Sequence, residues 1–387
     1  MINSLFSSLP FIVSLFWLIL FTVEYRKANP AKRFLTFFML VCTILYFSHS
    51  VYFRRNIWLY SMIESIYAFC SLAVYPLYYL YICKLTSEKC FTINKYWVLI
   101  PALFISLLSI TFYTMMSGSE RLTFVENHFF NLPAAGHHLS FAETGQIFRL
   151  RLMKIVFILQ LIPVSYYGFK KLRKFREKIE NYYSDPEDRT LTPIRNLLIL
   201  FVLFAFFSAA ANQLGPDFFL REPWLVIFPS VIFSSMIFAV SYFGYIQKFT
   251  AQDLYKDMQR ANKNELYNPG SSKELIRKRI VKLMEDEMIF RQKDLRISDL
   301  ALKAGSNRTY VSNYINKELN MSFTDYINSY RIRYAQSLMT QPDNKLSPVD
   351  ICEMSGFTNE VSFYRNFKKI TGTTPGKWLY QTTYLLK

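Results

Sequence analysis

The sequence lacks the short motifs that mark common active sites. It contains no HExxH helix, no GxSxG turn, no Walker phosphate loop and no kinase signature. An enzyme with this sequence would need a site assembled within its apolar segments, so we expect neither enzyme activity nor a cofactor. These absences leave a membrane receptor or a transporter open as alternatives.

Cysteine and histidine are too few and too scattered to predict a metal or redox site. No CxxC pair joins the five cysteines, which are Cys42, Cys70, Cys83, Cys90 and Cys352. One stretch between residues 117 and 146 gathers Glu126, His128, His137 and His138. Its spacing matches no tight ligand motif, so we expect surface histidines, small buried cysteines and no bound metal.

Long apolar runs are abundant. Of the 387 residues 52% are hydrophobic and 18% aromatic, more than one soluble core of this length needs. Crossing a bilayer takes about 20 mostly apolar residues. Seven such runs occur before residue 247: about Ser4–Val23, Phe34–Phe53, Trp58–Tyr81, Tyr96–Met116, Leu152–Phe169, Leu197–Leu214 and Trp224–Tyr245. The sequence therefore predicts a seven-helix transmembrane domain over residues 1–246.

Basic residues predict the orientation of these spans. No Lys or Arg precedes the first run, so we interpret it as a retained span rather than a secretory signal. With the N-terminus outside, the inner loops carry 15 Lys and Arg and the outer segments carry 7. Because basic loops stay in the cytoplasm, the chain after Tyr245 is predicted to be cytoplasmic.

Two segments of the C-terminal tail share one helix-turn-helix pattern. In the first, a small residue, Ala301, precedes Gly305 and Val311; in the second, Cys352 precedes Gly356, followed by Val361 and Phe363. A small residue lets two helices approach closely, and glycine tolerates the positive φ of a sharp turn. We predict Val311, Val361 and Phe363 to pack their helices. Ser347 followed by Pro348 predicts the start of the second unit's first helix.

A long helix is predicted between the two units. Ser322 and Asp325 fit a capping box. The helical apolar face is formed by Phe323, Ile327, Ala335 and Leu338. Such a helix would hold two recognition helices about one DNA turn, roughly 34 Å, apart. The predicted fold class is all-α, with the spans followed by two joined helix-turn-helix units.

The tail from about Lys293 to Trp378 resembles the AraC/XylS-type transcriptional regulators. Its most specific part is Gly356-Phe357, Ser362-Phe363, Arg365, Phe367-Lys368-Lys369, Gly372 and Pro375. The preceding unit adds Leu300-Ala301, Tyr310, Ser312, Phe323, Tyr326, Arg331 and Ala335. The departures are Cys352, where alanine is common, and Leu379, where the family often has Arg after an aromatic residue. This resemblance implies a DNA-binding domain over residues 291–387, preceded by a helical linker over 247–290.

The resemblance also implies which side chains contact DNA. Base contacts carried over to the two recognition helices are Arg308, Thr309, Ser312, Asn313, Asn359, Glu360 and Arg365. Arg pairs with guanine, Asn with adenine and Glu with cytosine. Lys317, Lys368 and Lys369 are expected to bind phosphates. The alternative for Thr309 and Asn359 is that they only cap their helices.

Charge agrees with a DNA-binding tail without proving it. From Gln247 onward the chain carries 23 Lys and Arg against 15 Asp and Glu. A positive balance favours binding to phosphates. The implied partners are double-stranded DNA, RNA polymerase and the lipid bilayer of a bacterial inner membrane.

The membrane half resembles those of membrane-embedded regulators and is expected to sense an envelope signal. Polar residues inside spans are costly and so mark candidate sites. We predict Glu64 to bind the unidentified ligand, and we expect His49, Gln160 and Asn212 to make interhelical hydrogen bonds. If the tail were only a tether or a protein-interaction module, a receptor or a transporter would remain the better interpretation.

A narrow apolar stripe follows the last span. Leu254, Met258 and Ala261 are spaced i, i+4 and i+7 on an otherwise polar helix. This pattern favours pairing with a second copy, so a homodimer is a further expected partner. The segment YNPGSS is predicted to break the helix, and Ser271 with Glu274 to cap the next one.

Overall fold

The protein is helical throughout the part that the structure describes. A computed structural model describes residues 2–87, 93–130, 138–214, 223–263, 273–341 and 346–385. Within these ranges every regular element is a helix, and one isolated antiparallel bridge joins Tyr183 to Arg296. The all-α fold class is confirmed.

The chain forms two compact units, and residues 173–190 belong to the second of them. The first unit contains Met1–Leu172 and Leu191–Lys248, and the second contains Arg173–Thr190 and Phe249–Lys387. The sequence places residues 173–190 among the inner loops of the membrane domain. In the structure this segment packs with the DNA-binding part instead, because its backbone and carboxylates bond there.

The first unit is a bundle of apolar helices. They are α1 (Ile2–Glu24), α2 (Pro30–Phe53), α3 (Ile57–Thr86), α4 (Ile100–Met115), α5 (Gly118–Phe129), α6 (Phe141–Glu180, whose last eight residues belong to the second unit), α7 (Thr192–Leu214) and α8 (Pro223–Ile246). Asn29 caps α2, where Pro30 takes the first position, and Asn56 caps α3. Consecutive helices α1, α2, α3 and α4 pack against one another, and α1 also packs on α8.

Five helical segments are long and apolar enough to cross a membrane. By length and composition these are Leu5–Glu24, Pro30–Phe53, Ile57–Thr86, Tyr96–Met115 and Leu225–Arg260. The fifth and sixth predicted runs lie in α6 and α7, of which α7 contributes only a shorter apolar helix, Thr192–Ser208. In α6 the apolar run contains Lys154 and is flanked by Arg151 and Lys170 within the same helix. The count of seven spans therefore stays a prediction.

The stretch between residues 117 and 146, which gathers three histidines, contains a helix. Ser117 forms a capping box with Glu120 and starts α5. Phe124 and Val125 of α5 are buried in a cluster with Tyr60 and Tyr113. His128 stacks on Phe124 with ring centroids 4.5 Å apart, and His137 lies outside the described residues. No group of three His, Cys, Asp or Glu in the described ranges could hold a metal ion.

Eight α-helices lie wholly within the second unit in its described ranges. They are α9 (Ala251–Lys263), α10 (Lys273–Glu285), α11 (Ile297–Lys303), α12 (Arg308–Asn313), α13 (Phe323–Met339), α14 (Pro348–Met354), α15 (Glu360–Thr371) and α16 (Pro375–Leu385). A single π-helical turn, Tyr314–Glu318, follows α12.

The apolar stripe after the last span is partly used inside this unit. Leu254 on α9 is fully buried, Met258 is half-buried, and α9 packs against α11. Asp257 on the same helix accepts a hydrogen bond from the Tyr183 hydroxyl at 2.6 Å. The expectation that Leu254 faces a second copy is therefore wrong. The side chain of Ala261 and the predicted helix break and cap at residues 267–272 lie outside the described residues.

Candidate nucleic-acid interface

The first helix-turn-helix unit is built from α11 and α12. Ala301 is fully buried where the two helices touch, Gly305 has a φ of +63°, and Val311 is buried on the returning helix. Asn307 caps α12 by accepting a hydrogen bond from the Tyr310 amide at 2.7 Å. These positions match the predicted pattern because each performs the steric task that the turn requires.

The second helix-turn-helix unit consists of α14 and α15, and backbone atoms lie closer to its turn glycine than to that of the first. Ser347 forms a capping box with Asp350 and starts α14, as predicted. Gly356 has a φ of +87°, and a Cβ at this position would lie 2.6 Å from the carbonyl oxygen of Arg291. Cys352 and Phe363 are buried on either side of the turn. Glycine is therefore required at 356 both by backbone conformation and by space.

One predicted packing residue of the second unit is on the opposite face. Val361 is 72% exposed, whereas Ser362, Phe363 and Phe367 are buried. The prediction that Val361 packs was wrong because the helix starts at Glu360, which turns position 361 to the face shared with Arg365. An exposed valine on a recognition helix suits apolar contact with a thymine methyl group.

The helix between the units is held by buried side chains on one face. Phe323, Ile327, Ala335 and Leu338 of α13 are buried, as expected. Ser322 caps the helix by accepting from the Asp325 amide, while the Asp325 carboxylate binds Lys369. With 17 residues, α13 spans about 25 Å.

Most predicted contact residues of the first helix-turn-helix unit are exposed or half-buried. Thr309, Asn313 and Lys317 are exposed. Arg308 and Ser312 are half-buried, and Ser312 accepts a hydrogen bond from the Asn316 amide at 3.0 Å. Since Asn307 is the cap residue, the capping alternative for Thr309 does not apply.

The second recognition helix exposes four charged side chains together with Val361. Glu360, Arg365, Lys368 and Lys369 are all exposed along α15. Asn359 caps the helix by accepting from the Ser362 amide at 2.8 Å, so its capping role is realised. The last turn also gathers Lys368 and Lys369 where cations suit the helix dipole.

Residues 181–190 contribute contacts that sequence patterns did not indicate. Asp185 forms an ion pair at 3.0 Å with Arg331, whose side chain is fully buried. Two residues later, Glu187 pairs with the Arg365 guanidinium. A cluster of Asp185, Glu187 and Asp188 in an otherwise basic loop was the available signal, but only the tertiary structure shows its partners.

Burial changes the pKa of two groups in this domain. It raises the pKa of the Cys352 thiol to about 11. It also lowers the pKa of the Arg331 guanidinium, an effect that the nearby Asp185 carboxylate opposes. Cys352 is thus a packing residue of the turn rather than a reactive thiol.

The C-terminal helix closes the second unit. Trp378 stacks edge-on against Phe367 with ring centroids 5.8 Å apart. Leu379, the departure from the family pattern, also packs on the apolar cluster that contains Phe367. The packing of α16 therefore accommodates leucine at this position.

The predicted ligand residue Glu64 is hydrogen-bonded and ion-paired within the first compact unit, the bundle of apolar helices. Its carboxylate accepts two hydrogen bonds from Arg149 Nη2, at 2.9 and 3.0 Å, and both side chains are fully buried. Ser109 donates to the same carboxylate at 3.0 Å, and Gln146 accepts from the Arg149 Nε at 2.9 Å. This network joins α3, α4 and α6, and ligand binding by Glu64 stays a prediction.

The other polar residues predicted inside spans also have neighbours. Gln160 donates to the Leu72 carbonyl oxygen at 3.1 Å, and His49 lies against the rings of Tyr46 and Tyr67. The side chain of Asn212 lies outside the described residues. The expected interhelical contact is present for Gln160.

Comparison with known proteins identifies the C-terminal part. Residues 300–381 match a family model described as "Helix-turn-helix domain". The chain is 29% identical over 136 residues to the "Uncharacterized HTH-type transcriptional regulator YtdP" of Bacillus subtilis, covering 33% of this chain and 17% of that protein. It is 33% identical over 84 residues to the "Msm operon regulatory protein" of Streptococcus mutans, covering 22% of this chain and 30% of that protein.

The family model matches residues in the C-terminal tail. The matched regions span less than a third of either relative, and no solved structure matches the chain. The residues matched by the family model begin within α11 and include the rest of the first helix-turn-helix unit, α13 and the second helix-turn-helix unit. The C-terminal part of this chain is therefore an AraC-type helix-turn-helix domain, similar to those of HTH-type transcriptional regulators.

Proposed function

We propose that the chain is a membrane-embedded, sequence-specific DNA-binding regulator that couples an envelope or extracellular signal to transcription. The observation that carries this proposal is the pair of helix-turn-helix units joined by α13. Each unit exposes polar side chains on its second helix, and each buries the small residue at its turn. We propose no enzyme activity and no cofactor.

The exposed side chains support DNA as the partner. Arg365 and Asn313 have the donor patterns that pair with guanine and adenine. Lys317 and Lys368 place positive charge beside them, as phosphate contacts require. RNA polymerase and a second copy of the chain are further proposed partners.

The surface of the first compact unit, the bundle of apolar helices, supports a lipid environment. Many large apolar side chains on its helices are exposed, among them Ile19, Leu107, Ile162, Phe206 and Phe228. Exposed apolar area on this scale is unfavourable in water and favourable in hydrocarbon. We propose that this unit lies in a bacterial inner membrane with the DNA-binding domain in the cytoplasm.

Selection of duplex DNA tests the proposed function. The full chain in lipid nanodiscs is incubated with a random duplex library, and bound DNA is amplified and sequenced over successive rounds. We expect one sequence pattern to be enriched and its affinity to fall steeply with salt. If no pattern is enriched and a scrambled duplex binds equally, the regulator is excluded and a receptor or transporter with a protein-interaction tail is favoured.

A further inference from the structure

Residues 181–190 are joined to the DNA-binding domain through backbone hydrogen bonds. The Ser184 amide donates to the Leu295 carbonyl oxygen at 2.9 Å, and the Ile297 amide donates to the Tyr182 carbonyl oxygen at 3.0 Å. Thr324 at the start of α13 donates from its hydroxyl to the Tyr183 carbonyl oxygen at 2.6 Å. The segment therefore occupies a defined place beside α11 and α13.

A buried ion pair anchors the segment at its centre. Arg331 Nη1 donates to both oxygens of Asp185 at 3.0 and 3.1 Å. The guanidinium also donates to Asn328 Oδ1, to Ser184 Oγ and to the carbonyl oxygens of Phe290 and Gln292. A buried pair is stable only when its polar atoms are bonded in this way, so Asp185 holds the segment in one position.

This anchor holds an acidic side chain from residues 181–190 against the second recognition helix. Glu187 begins a short 3₁₀ turn two residues after Asp185, and its carboxylate accepts a hydrogen bond from Arg365 Nη2. The Glu187 side chain is only 17% exposed, whereas that of Arg365 is 59% exposed. The carboxylate is thus held by the protein, and the guanidinium lies at the edge of the DNA-facing surface.

A carboxylate and DNA compete for the same N–H donors of an arginine side chain. The planar guanidinium binds carboxylate oxygens, phosphate oxygens or the acceptor edge of guanine with the same set of N–H donors. Arg365 cannot fully satisfy Glu187 and DNA at once. Glu187 also brings negative charge next to a surface that approaches phosphates, which opposes binding.

From this geometry we propose that residues 181–190 are an intramolecular competitor of DNA, with Glu187 occupying Arg365 until DNA displaces it. The inference rests on the proposed function. The competing segment lies between α6 and α7 in the chain, so it is covalently continuous with helices of the first unit. A change in those helices that withdraws Glu187 would raise DNA affinity without altering the recognition helices.

Substitution of Glu187 tests the competition. The full chain in lipid nanodiscs is compared with Glu187→Gln, which removes the charge and leaves the buried Asp185–Arg331 pair intact. Glu177→Gln is the matched control, because it removes the same charge from an exposed i,i+4 pair with Arg173. The probe is the duplex selected from a random library, with selection performed in parallel on the wild-type chain and on Glu187→Gln.

We expect Glu187→Gln to lower the Kd for the selected duplex about fivefold, the upper range for releasing a partly exposed ion pair. Glu177→Gln should change Kd less than about twofold. In the Arg365→Ala background, Glu187→Gln should have no further effect, since the competed group is gone.

Three outcomes overturn the inference. Equal affinity of Glu187→Gln and the wild type for the selected duplex, or a gain that persists without Arg365, would show that Glu187 does not compete at that group. In both cases DNA binding by the wild type leaves the proposed function standing. Failure of both chains to select any DNA would remove the inference and the proposed function together.

Discussion

Arg365 is the side chain on which the DNA-reading assignment is most directly tested. It lies on the exposed face of α15 beside Val361, and its side chain is 59% exposed although it pairs with Glu187. We expect Arg365→Ala to weaken binding to the selected duplex by about 1–3 kcal/mol and to relax the preference at one base pair. Binding assays with single-base variants of the duplex measure both effects.

A charge-matched control separates base contact from general attraction. Arg173→Ala removes the same charge from a side chain that is 83% exposed and pairs with Glu177. It should leave the base preference unchanged. Uniform weakening of all duplexes by Arg365→Ala would reassign Arg365 to a phosphate.

The reactivity of the Cys352 thiol reports whether water and reagents reach the turn between α14 and α15. Its pKa of about 11 lies above the ordinary thiol value of 9.0 because of burial. The folded state therefore disfavours the thiolate: this stabilising contribution is complete below pH 9.0 and is lost as pH rises toward about 11. At pH 7.4 we expect peptide-resolved alkylation of Cys352 to be much slower than that of a Val361→Cys control on the exposed face.

Comparable alkylation of the two thiols would contradict this expectation. It would mean that α14 and α15 separate often enough to admit water and reagent. Repeating the measurement at pH 9.5 adds a second check, because the exposed thiol ionises there while Cys352 does not.

At the scale of elements, three glycines of the second unit separate backbone strain from crowding. Gly356 combines a positive φ with backbone 2.6 Å from its missing Cβ, while Gly372 has a φ of +79° in open space. Gly376, inside α16, has neither constraint. We expect Gly356→Ala to cost at least ~2 kcal/mol, Gly372→Ala about 1 kcal/mol, and Gly376→Ala to be neutral or slightly stabilising.

Hydrogen exchange of the full chain measures this series. Deuterium uptake by peptides of α14 and α15 reports the local opening free energy, independently of the apolar helices. Equal protection in the Gly356 and Gly376 variants would show that the turn relaxes without cost.

The ion pair between α3 and α6 is expected to hold these helices together. Removing Arg149 leaves the Glu64 carboxylate buried and unpaired, which typically costs 3–5 kcal/mol. We expect Arg149→Met to reduce the amount of folded chain in membranes. The double variant Arg149→Met with Glu64→Leu should recover it, because neither charge then remains buried.

Gel filtration of detergent extracts measures the folded fraction. If Arg149→Met folds as well as the wild type, the Arg149–Glu64 pair does not hold α3 and α6 together.

The topology of the whole molecule can be tested with reporter fusions. The basic residues of the inner loops predict an outside N-terminus and a cytoplasmic tail. Fusions after Met116 or Leu214 should report the outside, and fusions after Phe169 or Phe249 the cytoplasm. An external C-terminus would exclude the proposed regulator, since the tail could not reach the chromosome.

Local patterns were enough to predict the helical class and both helix-turn-helix units. The turn glycines, the Ser347 cap and the buried face of α13 follow from steric and hydrogen-bonding rules that act within a few residues. The number of spans does not follow from such local rules, because α6 joins an apolar run and charged ends in one helix. Val361 was misplaced because one residue of helical register moves a side chain to the other face.

The amino-acid sequence by itself therefore determined which elements form and which side chains the recognition helices carry. Only the tertiary structure decided what those side chains meet. Asp185 and Arg331 are 146 residues apart in the chain. No sequence periodicity links positions so distant. Ion pairing between them depends on the folded backbone bringing both to one dry site, and that same packing carries Glu187 to Arg365.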